Sequence, residues 1–155
     1  MRNKSQHGFT ILEIIIAVII IGVMAGWAMP RLFATVEYSK ITEALNTIVL
    51  IRGSLERCYL YHSGDYTNCK LTSGAADNTL DIQDPGESPN AHFTYAVSDQ
   101  DANTYVIVAT RNTHEGGDGF STVAYELDGS DIDKCGCGKF VAIGSCALLT
   151  NYSCP

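Results

Sequence analysis

The sequence predicts an α+β protein: one long N-terminal helix whose first half spans a membrane, packed on a small antiparallel sheet, with a disulfide-tied C-terminal region. Three observations predict it. A 22-residue apolar run, Phe9 to Pro30, passes into a segment with apolar residues at spacings of three and four. From His92 the pattern changes to alternation, the mark of half-buried strands. All six cysteines follow the apolar run.

The run reads FTILEIIIAVIIIGVMAGWAMP and is long enough to cross a bilayer as a helix. Its only ionisable side chain is Glu13. A carboxylate there costs a few kcal/mol, roughly, on insertion scales, so it points to function and to a cationic partner. No Lys or Arg lies on the same stretch. The segment before it, MRNKSQHG, carries Arg2 and Lys4 and no acid, which holds that end in the cytoplasm. A cut between Gly8 and Phe9 would create an α-amine four residues before Glu13 and so supply the missing cation. A secretory signal would have a shorter core and small-residue cleavage after it. A plain anchor explains the length but not Glu13.

Gly22 and Gly26 form a G-x-x-x-G spacing that lets helices approach closely in lipid. Pro30 removes a backbone donor and crowds the carbonyl of Gly26, which predicts a kink or local opening at Gly22, Gly26 and Pro30. Beyond Pro30, Ile41, Ala44, Leu45, Ile48, Leu55 and Tyr59 fall on one face, with Glu37, Lys40, Glu43, Arg52, Glu56 and Arg57 elsewhere. The helix is expected over residues 9–62, with 9–30 transmembrane and Gly64 as its stop signal. Residues 63–155 then form the head.

Residues 64–91 are turn-rich and read as a long loop held by Cys69. Phe93, Tyr95 and Val97 alternate with Thr94 and Ala96 in a first strand. Asp99 to Asn103 is a turn, Tyr105 to Thr110 a second strand, His114 to Gly119 a Gly-rich connection, and Phe120 to Leu127 a third strand. The three make a meander whose apolar face covers the helix. From Asp128 the tail is less regular, and Phe140 to Leu149 suits a short strand or a cystine-held loop.

On the far side of a membrane cysteines oxidise, and six allow 15 pairings. Cys58 with Cys69 is the natural local pair. Cys135 and Cys137 are too close to join each other and are expected to pair with Cys146 and Cys154, in either order. The alternative, a zinc site on those four thiols, lacks the paired C-x-x-C spacing.

The Gly8-Phe9-Thr10-Ile11-Leu12-Glu13 junction, basic leader and following apolar helix resemble the prepilin signal of type IV pilins and type II secretion pseudopilins. The resemblance covers roughly residues 1–60 and implies a pilin-like fold. It implies that a membrane peptidase removes residues 1–8 and methylates Phe9, and that Glu13 docks each subunit by neutralising a neighbour's N-terminus. It also implies that Pro30 accompanies bending or local melting of the helix in the filament. The implied function is a structural subunit of a type IV pilus, with a major pseudopilin of a type II secretion system as the alternative. Its partners would be further copies in a helical homopolymer, the prepilin peptidase, the inner-membrane assembly machinery and, before assembly, the membrane. The finished filament would lie outside the cell, or in the periplasm for a pseudopilin. A membrane-anchored adhesin or DNA-uptake module is a rival that predicts no cleavage at Gly8.

No paired acid and base suggests catalysis, and His62, His92 and His114 sit in no nucleophile or metal motif. No cofactor is expected apart from one candidate. Major pseudopilins carry a calcium site in their C-terminal loop, and Asp128, Asp131 and Asp133, with Ser130, offer oxygens there. The plainer reading of that cluster is a solvated acidic turn. The formal charge is −7, and loss of Arg2 and Lys4 with residues 1–8 makes it −9. That balance argues against a broad nucleic-acid surface.

Overall fold

The computed structural model describes residues 10–72 and 78–155. Helix α1 spans Ile11–Tyr61. Thr10 begins it: the Glu13 amide donates to the Thr10 hydroxyl at 3.3 Å and to its carbonyl at 3.1 Å, satisfying one of the orphan donors of a first turn. Glu13 places a carboxylate at the positive end of the helix dipole. At the other end the Gly64 amide returns to the Tyr59 carbonyl at 2.9 Å, with Ser63 and Gly64 at φ 62° and 89°. Gly64 thus acts as the expected stop.

The chain divides into two compact units, 1–39 and 40–155. In the first, Ile11–Met29 is long and apolar enough to cross a membrane, and none of it is buried in the chain itself. The backbone is helical through Gly22, Gly26 and Pro30. One proline costs a helix one hydrogen bond, and the flanking turns can hold the path.

The second unit is built on a four-stranded antiparallel sheet in the order β1-β2-β3-β4. Its strands are β1 (Phe93–Ser98), β2 (Thr104–Arg111), β3 (Thr122–Asp128) and β4 (Asp131–Gly136). Pairings such as Tyr95 with Ala109 and Ile107 with Tyr125 put one set of side chains on one face. That set, with Phe93, Tyr105, Val123 and Leu127, packs with Ile41, Ala44, Ile48, Ile51 and Leu55 of α1 in a single core. A second cluster of Ala124, Cys135, Cys137, Cys146 and Leu149 contains residues of β3, β4 and the tail. Ala124 points away from Val123, so the middle strands are covered on both faces.

Two expectations change. The tail contributes a fourth strand, where a less regular segment was expected. Asp128-Gly129-Ser130-Asp131 closes a two-residue hairpin, with Gly129 at φ 63° where a side chain would be strained. The polar pattern of β4 belongs to a sheet edge, where charge protects against stray pairing. Phe140 to Leu149 forms cystine-held 3₁₀ turns, Gly138–Ile143 and Cys146–Leu148, not a strand. The third strand also starts later than expected. Phe120 is exposed, and its amide and that of Ser121 bond to Asp118, which makes the entry a turn.

Candidate functional site

The functional end of the chain is the start of α1. Gly8 and Phe9, the expected cleavage and methylation residues, lie outside the described residues. Glu13 stands in the first turn of α1, exposed. Downstream, Ile11, Leu12, Val18, Ile21, Val23, Met24 and Trp27 all present more than 60 % of their surface. A Cβ built on Gly22 or Gly26 would meet nothing within 4 Å. The helix flank at these glycines is therefore a shallow, unfilled notch of a kind that another helix can enter. An apolar surface of this length suits lipid or neighbouring helices and nothing aqueous.

The head is fixed by three cystines. The structure joins Cys58 to Cys69, Cys135 to Cys146 and Cys137 to Cys154, with Cα separations of 5.9, 5.0 and 5.7 Å. The order left open between the four tail cysteines is thereby assigned. No cysteine is free. The first bridge ties the end of α1 to the loop after it, and the Gln100 side chain donates to the Cys69 carbonyl from the β1–β2 turn.

The carboxylates of the calcium candidate stand on the β3–β4 hairpin. Strand pairing sets Asp128 opposite Asp131 at the hairpin mouth and Asp133 opposite Glu126. Glu126 is buried, and its two oxygens accept from the Thr150 amide at 2.9 Å and from the Asn151 amide and side chain at 2.9 and 2.8 Å. That carboxylate holds the tail on the sheet. Among the described residues, the only three Asp, Glu, His or Cys ligand atoms lying within 4.8 Å of one another are the sulfurs of Cys137, Cys146 and Cys154. All three are in disulfides, so they offer no thiolate.

Two polar clusters escaped the sequence reading because their members are far apart in the chain. His92 lies between the Glu43 and Glu115 carboxylates, 2.9 Å from each, and Lys40 reaches Glu115 at 3.5 Å. His92 first and Lys40 second hold the Glu115 carboxyl below its ordinary range. The cluster ties the 3₁₀ turn His114–Gly116 to α1. In the second cluster, Asp81 accepts from the Ser54 hydroxyl and from Arg57 Nε and Nη2, the latter at 2.5 and 2.8 Å. The Arg57 bond, followed by the Ser54 bond, lowers the Asp81 carboxyl from 3.8 to about 2. Because the folded-state value is depressed, the folded state favours the charged form. Its contribution is complete above about pH 4 and is lost as pH falls toward 2. We expect thermal stability to drop across that interval, and Asp81→Asn to remove this part of the drop. A melting profile as steep in Asp81→Asn as in the wild type would contradict the assignment.

Comparison with known proteins places these features. The prokaryotic N-terminal methylation motif matches residues 3–29. The type II secretion system core protein G of Escherichia coli (strain K12) is 31% identical over 107 residues, 68% of this chain and 74% of that protein. Proteins of the same description from Klebsiella michiganensis and Pseudomonas aeruginosa are each 32% identical, over 63 and 56 residues. The chain spans 44% and 39% of those two relatives. No solved structure matches significantly. With a processing motif at its head, a single apolar helix behind it and likeness to a core protein G that extends into the sheet, the chain belongs to the family of type IV pilins and type II secretion pseudopilins.

Proposed function

We propose that this chain is a major pseudopilin of a type II secretion system, a structural subunit and not an enzyme. The observation that carries the reading is the 107-residue likeness to the Escherichia coli core protein G, which reaches past the N-terminal helix into the head. That likeness favours the secretion alternative over the type IV pilus, since the methylation motif alone serves both. In this reading the peptidase cuts after Gly8 and methylates Phe9. The membrane stores the subunits, and the assembly machinery draws them into a periplasmic homopolymer. The exposed flank of α1, including the notch at Gly22 and Gly26, exchanges lipid contacts for helix contacts. Local melting near Pro30 would accompany that transfer. Glu13 pairs with the amine of a neighbouring Phe9, because an unpaired charge in an apolar bundle is strongly penalised.

The test is a deletion in the host with two readouts, together with mass spectrometry of the native protein. The deletion is expected to retain exported enzymes inside the cell and to leave surface filaments unchanged. The native protein is expected to lack residues 1–8, to carry a methyl group on Phe9 and to hold three disulfides. Loss of surface filaments with normal export would return the reading to a type IV pilus. An uncleaved N-terminus would instead favour a membrane-anchored adhesin or DNA-uptake module.

A further inference from the structure

Two of the cystines touch each other. Cys137 Sγ is bonded to Cys154, yet it lies 3.3 Å from Cys146 Sγ, which is bonded to Cys135. Neither sulfur carries a hydrogen in this state, so the approach is a contact between two disulfides. The four sulfurs differ in access. Cys154 is exposed, while Cys137 and Cys146 are buried and Cys135 is wholly buried. The tail that carries Cys146 and Cys154 is held on the sheet by the Glu126 bonds to Thr150 and Asn151.

We infer that this pair of cystines is a thiol–disulfide exchange relay, entered at Cys154 and passed through Cys137 to Cys146, that takes a thiolate-bearing partner. The partner class is a small thiol or the reactive cysteine of a dithiol oxidoreductase on the oxidising side of the membrane. In the first step the partner's thiolate attacks Cys154 Sγ, which belongs to the one exposed residue of the four. A mixed disulfide forms there, the Cys137–Cys154 bond breaks, and Cys137 leaves with the electron pair as a thiolate. In the second step that thiolate attacks Cys146 Sγ. The Cys137–Cys146 bond forms, the Cys135–Cys146 bond breaks, and Cys135 takes the electron pair and then a proton from water. One thiolate is consumed and one is generated, with no net oxidation. Burial favours the neutral thiol at Cys135. The protonated sulfur does not attack in return, and the partner stays joined to Cys154.

The test uses the full chain in detergent micelles, treated with reduced glutathione, quenched with N-ethylmaleimide, digested and mapped by mass spectrometry. The expected product carries glutathione on Cys154, N-ethylmaleimide on Cys135 and a Cys137–Cys146 cystine that is absent before treatment. N-ethylmaleimide on Cys137 with Cys135–Cys146 intact would overturn the relay, as would no reaction at Cys154 or first reaction at a buried sulfur. Cys154→Ser gives an independent arm, because it frees Cys137 without any added thiol. The folded variant is expected to contain Cys137–Cys146 molecules, and Cys135–Cys146 alone would count against the inference.

Discussion

Glu13→Ala is expected to leave the protein inserted in the inner membrane and to abolish polymer formation. Glu13 is the only ionisable residue on the apolar stretch, and its carboxylate has no role in the described core. Its removal eases insertion, since an acid inside a membrane helix costs roughly 2.5–3.5 kcal/mol on insertion scales. The loss falls on the assembled state. A neighbouring α-amine brought into an apolar bundle without a counter-charge costs about 3–5 kcal/mol, as for any buried pair broken on one side. At 1.4 kcal/mol per tenfold, each contact weakens by roughly two to three orders of magnitude. Yield of sheared fibres, measured beside membrane-bound subunit, checks this. Glu13→Gln keeps the shape and loses the charge, so it should fail in the same way. Normal fibre yield from either variant would exclude the charge pair as the docking device.

Gly136→Ala is expected to destabilise the head strongly. A Cβ at this position would sit 2.0 Å from the Phe140 carbonyl oxygen and 2.6 Å from its carbon, both backbone atoms. The Gly136 amide also donates to the Gly144 carbonyl at 3.1 Å, so the strand end and the 3₁₀ turn cannot separate freely. Relief requires moving Phe140, which is fully buried with its ring 5.9 Å from that of Phe93. Overpacking of this kind costs about 3 kcal/mol or more, a fall of about 10 °C in melting temperature for a domain of this size. Gly53→Ala is the control of opposite sign. It lies inside α1, where its Cβ meets only the flexible end of Arg57 at 3.5 Å. There alanine should stabilise by about 0.5–1 kcal/mol. Thermal melts of the two variants beside the wild type decide the matter, and similar melting temperatures for all three would show that the Phe140 turn yields easily.

The sequence made some of this legible and hid the rest for physical reasons. The run to Pro30 and the spacing of Ile41, Ala44, Ile48 and Leu55 define α1, because one-sided burial leaves a period in the residues. β1 shows alternation for the same reason, while β2 and β3, buried on both faces, are marked by their β-branched and aromatic residues. β4 shows neither mark, since an edge strand with Asp131, Asp133 and Lys134 has too little apolar pattern to register. The Asp128-Gly129 pair was the available hairpin signal. The order of the tail bridges could not be read, because Cys135 and Cys137 are two residues apart and side chains two apart in extended backbone project to the same side. His92 with Glu43 and Glu115, and Asp81 with Ser54 and Arg57, are 23 to 49 residues apart in sequence. Only the completed fold brings them together.

The single tryptophan, Trp27, lies on the membrane-crossing stretch, whereas Tyr59, Tyr66, Tyr105 and Tyr125 form a chain of ring contacts between the helix and the sheet. The molecule therefore carries two optical reporters that need no label. Indole emission follows whether this stretch is in lipid or in a helix bundle, and phenol absorbance follows the integrity of the head. Assembly and unfolding can be watched separately in one sample.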